Sequence, residues 1–238
     1  MNLLQLRQQF RNESGRYDLV GSDGSDSGAN FYINAGQRYL DRIETTQKSY
    51  AISYREAAIG QYLVKFPFCR AVQEVWAGTT TERWQLEKWE LQRLLSTYFL
   101  TPQDEQENGA PLYYSPTVIR TPEKDLIGRV GAFVVYADVG LAHYNYNAIA
   151  FGPFAEEPTM IEIKGLFYSP ELSADDDESF WTVVHPDILL MAAMRQLEII
   201  NRNTQGVNDW TNSINMSVVD IEKDFVEETI SEVDCMGG

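Results

Sequence analysis

The sequence predicts an α+β protein, with helices towards both ends and antiparallel strands between them. Three observations predict it. Residues 188–194 are apolar without a break behind Pro186, as in a helix surrounded by protein. Ala29, Ile33, Gly36, Leu40 and Ile43 recur at steps of four, three, four and three, which is one face of a helix. Between residues 50 and 76, and again between 112 and 168, the spacing changes to that of strands.

In chain order, residues 2–11 form a short helix carrying Leu3, Leu4, Leu6 and Phe10. A loop follows over 12–28. Its Gly, Ser and Asp run, 21–28, has turn chemistry, and Asp23 and Asp26 lack the ligand order of a calcium loop. Residues 29–46 are the clearest amphipathic helix. Gly36 on its apolar face would let another helix approach closely, and 186–203 is the obvious partner.

Residues 50–76 read as a small antiparallel unit: Ile52 and Tyr54, then 62–66 after a turn at Gly60, then 69–76 beyond Pro67. Residues 81–100 return to helix, with Trp84, Leu91, Leu94, Leu95 and Tyr98 on one side. Pro102 and an acidic linker end it. Residues 112–119 form an aromatic strand broken by Pro116, and 131–138 suit a strand buried on both faces. Residues 143–146 and 152–158 read as loops. Residues 160–168 set Ile161, Ile163 and Phe167 against Glu162 and Lys164 on alternate faces.

An acidic stretch, 169–179, leads into the central helix, 181–203. Pro186 fits its first turn, where a missing N–H costs nothing, and Asp187 complements the helix dipole. Asn203 and Gly206 are stop signals. Residues 207–216 make a further helix with Trp210 and Ile214. Residues 218–233 follow as an amphipathic acidic tail, in which Lys223 is the one base. Its Phe225 and Ile230 suit a segment that orders on a partner. Removing 218–238 is expected to leave the rest folded.

Composition narrows the function classes. The formal net charge is −16, which argues against nucleic-acid binding by clustered Lys and Arg and against anionic membranes. It suits either plain solubility or a wall that must not hold a polyanion. No run approaches the ~20 apolar residues needed to span a bilayer, and residues 1–10 lack the pattern of a secretory leader. A soluble chain made in the cytoplasm is expected. The two cysteines, Cys69 and Cys235, do not make a disulfide framework.

Catalytic signatures are sparse. Neither His143 nor His185 has metal-ligand spacing, and G-x-S-x-G, Walker A and G-x-G-x-x-G motifs are absent. No residue is assigned a catalytic, cofactor-binding or metal-binding role. Two other classes stay open: a hydrolase using a histidine with the 175–178 carboxylates, and a carbohydrate-binding β-module stacking sugars on exposed tyrosines. Core and interface packing accounts for the 12% aromatic content more simply.

Four segments resemble one known family. LLQLRQQFRNESGRYDLV (3–20) followed by ANFYINAGQRYLDRIE (29–44) resembles the short helix and "INxGQRxLD" helix that open tailed-bacteriophage head-to-tail adaptors (head–tail connectors) of the tail tubular protein A type. IGQYLVKFPFCRAVQEVWA (59–77) resembles their strand pair, and WQLEKWELQRLL (84–95) the helix after it. IEIKGLFYSPELSADDDESFWTVVHPDILLMAAM (161–194) resembles their passage ending in "hPdlLi.aAl".

The resemblance implies a helical bundle core with an antiparallel β-rich insertion. The helical core would comprise 1–49, 81–102 and 181–217, the β-rich parts 50–80 and 103–180, and the acidic tail 218–238. It implies a structural virion protein rather than an enzyme: a homo-oligomeric ring, commonly a dodecamer, at the neck of the virion. The ring docks on the portal protein, extends the DNA channel without sequence-specific binding, and gives the tail or nozzle protein its platform. No cofactor and no membrane are involved. The tail would meet the portal through Ile221, Phe225, Val226, Ile230 and Val233. Arg16, Arg38, Arg42 and Arg55 would offset acidic neighbours at subunit interfaces. A tail-side neck component, for tail completion or the nozzle, is the alternative within the same virion.

Overall fold

The computed structural model describes residues 1–43, 50–98, 108–119, 124–130, 133–138 and 146–234, with side chains described outside 118–146, 222 and 224–234. It is α+β, with mostly antiparallel sheets; β5 joins the second sheet, and β6 meets β11, in parallel. The chain forms two compact units. One combines Met1–Ser49 with Tyr168–Gly238, and the other is Tyr50–Phe167.

The first unit is helical. Helix α1 (Leu3–Ser14) starts on a capping box between Asn2 and Gln5 and stops at Gly15, whose φ of 67° suits glycine. Helix α2 (Ala29–Ile43) buries Ala29, Ile33, Gly36 and Leu40, the face read from their spacing. Helix α4 (Phe180–Val184) is one short turn capped by Ser179. Helix α5 (Pro186–Ile200) buries Ile188, Leu189, Leu190, Ala192, Ala193, Met194 and Leu197 at the centre of the core. The expected single helix over 181–203 is therefore broken at His185. Proline disfavours helical backbone in the residue before it, and His185 sits at φ −133°, ψ 57°.

Helix α6 (Thr204–Asp234) runs unbroken for 31 residues. The sequence divides this stretch into a helix and a tail, but no Pro occurs within it to end the helix. Val218 and Ile221 join Ile214 in the core, so the packed part reaches past the expected boundary at 217.

The second unit is β-rich. Strands β1 (Tyr50–Ala57), β12 (Thr159–Phe167), β3 (Cys69–Gly78) and β4 (Arg83–Gln85) form an antiparallel sheet in the order β1-β12-β3-β4. The self-contained unit expected over 50–80 is thus interleaved with a strand nearly a hundred residues away. A second sheet has the order β2-β10-β7-β5, from Leu63–Lys65, Tyr146–Gly152, Tyr113–Ile119 and Glu87–Lys88. Both sheets contribute to one core, including Val75, Ile161 and Ile163 from the first and Val64, Tyr114, Ile149 and Phe151 from the second. Ile161 and Ile163 are buried as their alternation predicts. Strands β6 (Asn108–Gly109) and β11 (Phe154–Ala155) pair in parallel, and β8 (Lys124–Val130) pairs with β9 (Phe133–Asp138).

The helix expected over 81–100 is replaced by β4, β5 and the short helix α3 (Leu91–Tyr98), all in the β-rich unit. Trp84 and Leu86 alternate with exposed Arg83, Gln85 and Glu87, and that period of two wins over the wider spacing of Leu91 and Leu94. Residues 81–98 fall in the β-rich unit rather than extending the helical core, 99–102 lie outside the described residues, and 168–180 fall in the helical unit rather than with the strands. The expected burial of both faces of 131–138 lies outside the described residues.

Candidate functional site

Three polar residues on α2, Asn34, Gln37 and Asp41, follow one another at steps of three and four and are all buried. They grip the irregular segment 168–179 and the start of α4 behind it; the backbone groups of 168–179 have no helix or strand to satisfy them. The Asn34 amide donates to Leu172 O at 2.9 Å and accepts from Leu172 N–H at 2.9 Å. Gln37 donates to Pro170 O at 2.7 Å, and its carbonyl accepts from the Ser179 hydroxyl at 2.6 Å. Asp41 accepts from Ser169 N–H at 2.8 Å, the Ser169 hydroxyl at 2.9 Å and the Trp181 indole at 2.7 Å.

Gly36 lies among these residues and makes the approach of α5 possible. A Cβ placed on it would lie 2.7 Å from Ala193 N and 2.9 Å from Ala192 C, both main-chain atoms. The close helix contact read from the sequence is present, and its partner is the predicted one.

The acidic stretch is bound into the same unit. The buried Arg7 on α1 pairs with Asp175. The first-turn amides of Leu3 and Leu4, which lack intrahelical partners, donate to the carbonyls of Asp177 and Asp175 at 3.0 Å each. The Asp177 carboxylate accepts from Ser173 N–H at 2.7 Å and Ala174 N–H at 2.8 Å, which holds its carboxyl below the usual range. These contacts organise a loop.

His185 stacks edge-on against Phe180 with centroids 5.5 Å apart and lies 6.2 Å from Trp181. Its ring serves the joint between α4 and α5. His143 lies outside the described residues. Among the described residues there is no cluster of three or more His, Cys, Asp or Glu placed to hold a metal ion. Burial pushes the Cys69 thiol up to about 11, as expected of an inert buried thiol.

The β-rich unit holds an open cavity of about 720 Å³. Glu82, Glu156 and Glu157 line it with Arg83 and Trp84. Arg83 is committed to Glu162 at 2.7 Å and stacks on Trp76, and the Trp84 indole donates to Pro111 O at 2.6 Å. Trp89 stacks on Tyr113 at a centroid distance of 3.8 Å and carries the Arg93 guanidinium over its ring, also at 3.8 Å. These aromatic faces are spent on one another. Tyr50 and Tyr54 are exposed along β1.

Each arginine expected at subunit contacts has a partner within the chain. Arg16 binds Asp18 through two bonds of 2.9 and 2.8 Å and holds that carboxyl down to about 2. Arg38 meets Glu171 at 3.2 Å, and Arg42 donates to the Tyr168 hydroxyl at 3.0 Å. Arg55 donates to Tyr54 O at 2.7 Å and covers the Phe66 ring. Ile221, expected at a portal contact, is 4% exposed and belongs to the core. The side chains of Phe225, Val226, Ile230 and Val233 lie outside the described residues.

The Asn34, Gln37 and Asp41 grip is absent from the expectations drawn from sequence. Its signal is three polar residues on the side of α2 that carries Ile33 and Leu40. No helix among the described residues is long and apolar enough to cross a membrane. No protein-family model and no curated protein matches the chain.

Proposed function

We propose that this chain is a head-to-tail adaptor of a tailed bacteriophage. Copies of it form a ring that docks on the portal, continues the DNA channel and carries the tail. One observation supports the reading above the others. Two of the four segments that resemble adaptors, 29–44 and 161–194, are complementary: Asn34, Gln37 and Asp41 of the first hold 169–181 of the second, while Gly36 seats Ala193. Motif residues that build a scaffold are what a structural protein needs.

In this reading the helical unit is the adaptor's bundle and residues 50–167 are its β-rich insertion. The charge of −16 gives the ring a surface that repels the DNA backbone, so the genome slides past without being held. The test is sedimentation velocity of the full chain mixed with the purified portal ring from the same genome. Co-migration at saturating stoichiometry supports the adaptor. A portal that sediments unchanged, together with binding to purified tails, would move the protein to the tail side of the neck.

A further inference from the structure

A strand at the edge of a sheet leaves one row of backbone N–H and C=O groups outside the ladder, and proteins blunt such edges by shortness, proline, lysine or a bulge. The two four-stranded sheets have four edges. Three are blunted. Strands β4 and β2 have three residues each and β5 has two, and β2 and β5 carry Lys65 and Lys88. The fourth edge, β1, has none of these devices. It runs for eight residues without Pro or Lys and pairs with β12 from Tyr50↔Leu166 to Ala57↔Thr159 without a bulge. Among the described residues no strand lies on its other side. Tyr50, Ile52 and Tyr54 recur at steps of two on the face turned away from the core, and are 38%, 46% and 53% exposed.

Charge and register identify the occupant. Strand β1 holds one cation, Arg55, and one anion, Glu56, in a chain of net charge −16. Beside the apolar row, Lys164 lies 3.5 Å from Glu74 and Glu162 lies 2.7 Å from Arg83, so the neighbouring charges are paired. An antiparallel pairing of β1 with itself, two-fold about Ser53, sets Ile52 against Tyr54, Tyr50 against Glu56 and Ala51 against Arg55. It uses residues 50–56, makes aromatic–β-branched pairs and opposes no like charges. A shift of the pairing shortens it in one direction and sets Glu56 against Ile52 in the other. The Tyr54 carbonyl accepts from Arg55 at 2.7 Å and keeps a second lone pair for an added strand. We propose that β1 is a docking edge for β1 of a second copy, which joins two four-stranded sheets into one. Such a contact closes on itself as a pair, whereas a ring is built head to tail. It is therefore separate from the ring contacts of the adaptor reading and does not rest on them.

Sedimentation velocity of the full-length chain, from about 1 to 200 μM, should show a reversible monomer–dimer equilibrium. Ile52→Lys/Tyr54→Lys changes exposed side chains and should raise the dimer dissociation constant about tenfold or more at an unchanged melting curve. The register is read in a Cys235→Ser background, in which Cys69 is buried. Ser53→Cys should form a disulfide-linked pair under mild oxidation, because residue 53 faces its own copy. Ala51→Cys should not, because it faces residue 55 of the second copy, about 13 Å from residue 51 at about 3.4 Å per residue and beyond disulfide reach. A chain that stays monomeric throughout the concentration range overturns the proposal. So does a dimer that the lysine variant leaves intact. An assembly of any size in which Ser53→Cys gives no linked pair also overturns it, because its contact is then not this two-fold one. The portal is absent from both experiments, so neither result bears on the adaptor reading.

Discussion

Replacing Gly36 with alanine gives a test whose sign separates two opposed effects. In the interior of a helix, Gly→Ala normally stabilises by about 0.5–1 kcal/mol, because glycine loses more backbone freedom on folding. Here the new Cβ would lie 2.7 Å from Ala193 N, 2.9 Å from Ala192 C and 3.1 Å from Ala193 Cα, where ordinary contact begins at 3.4 Å. None of these is the end of a flexible side chain. The helices α2 and α5 must part by about 0.7 Å, and overpacking of this kind costs about 1–3 kcal/mol. The net expectation is a loss of about 1–2 kcal/mol. Urea unfolding followed by circular dichroism at the helix minimum should place the midpoint roughly 0.5–1 M lower at an unchanged slope. A midpoint equal to or above wild type would refute the packing described for this seam.

The buried grip predicts a second loss. Asp41→Ala leaves the Ser169 N–H, the Ser169 hydroxyl and the Trp181 indole without their acceptor, costing roughly 3–5 kcal/mol in thermal or urea unfolding. Asp177 predicts a pH effect. Its carboxyl is held below the ordinary 3.8, so its contribution is complete above about pH 4 and fades as pH falls through the lowered value. Asp177→Asn should flatten the fall in stability between pH 5 and pH 2, and an unchanged slope would count against the loop geometry. Two truncations separate the packed part of α6 from its far end. Removing 218–238 deletes the buried Val218 and Ile221 and should lower the melting temperature by several degrees, whereas removing 224–238 should leave it near wild type.

The features legible in the sequence were those with a local periodic cause. The steps of four and three in 29–43 located the buried face of α2, including the glycine contact, because helical geometry alone decides which residues share a face. The apolar run after Pro186 located the core helix for the same reason. Alternation within 160–168 gave the buried pair Ile161 and Ile163. What was not legible depends on distant partners. Nothing in residues 50–78 says that β12 inserts between β1 and β3, since strand order is settled by contacts about a hundred residues apart. Asn34, Gln37 and Asp41 read as ordinary polar residues until the irregular backbone of 168–179 is set against them. Ile221 and Met216 are both apolar residues on one acidic helix, and packing into the core of the helical unit distinguishes the buried one from the exposed one.

The most direct test of the adaptor account is negative-stain imaging of the full chain mixed with a portal ring from the same genome. The account predicts a closed collar, coaxial with the portal and prolonging its channel. Portal rings without a collar, at protein concentrations that saturate binding sites elsewhere in the virion, would contradict it.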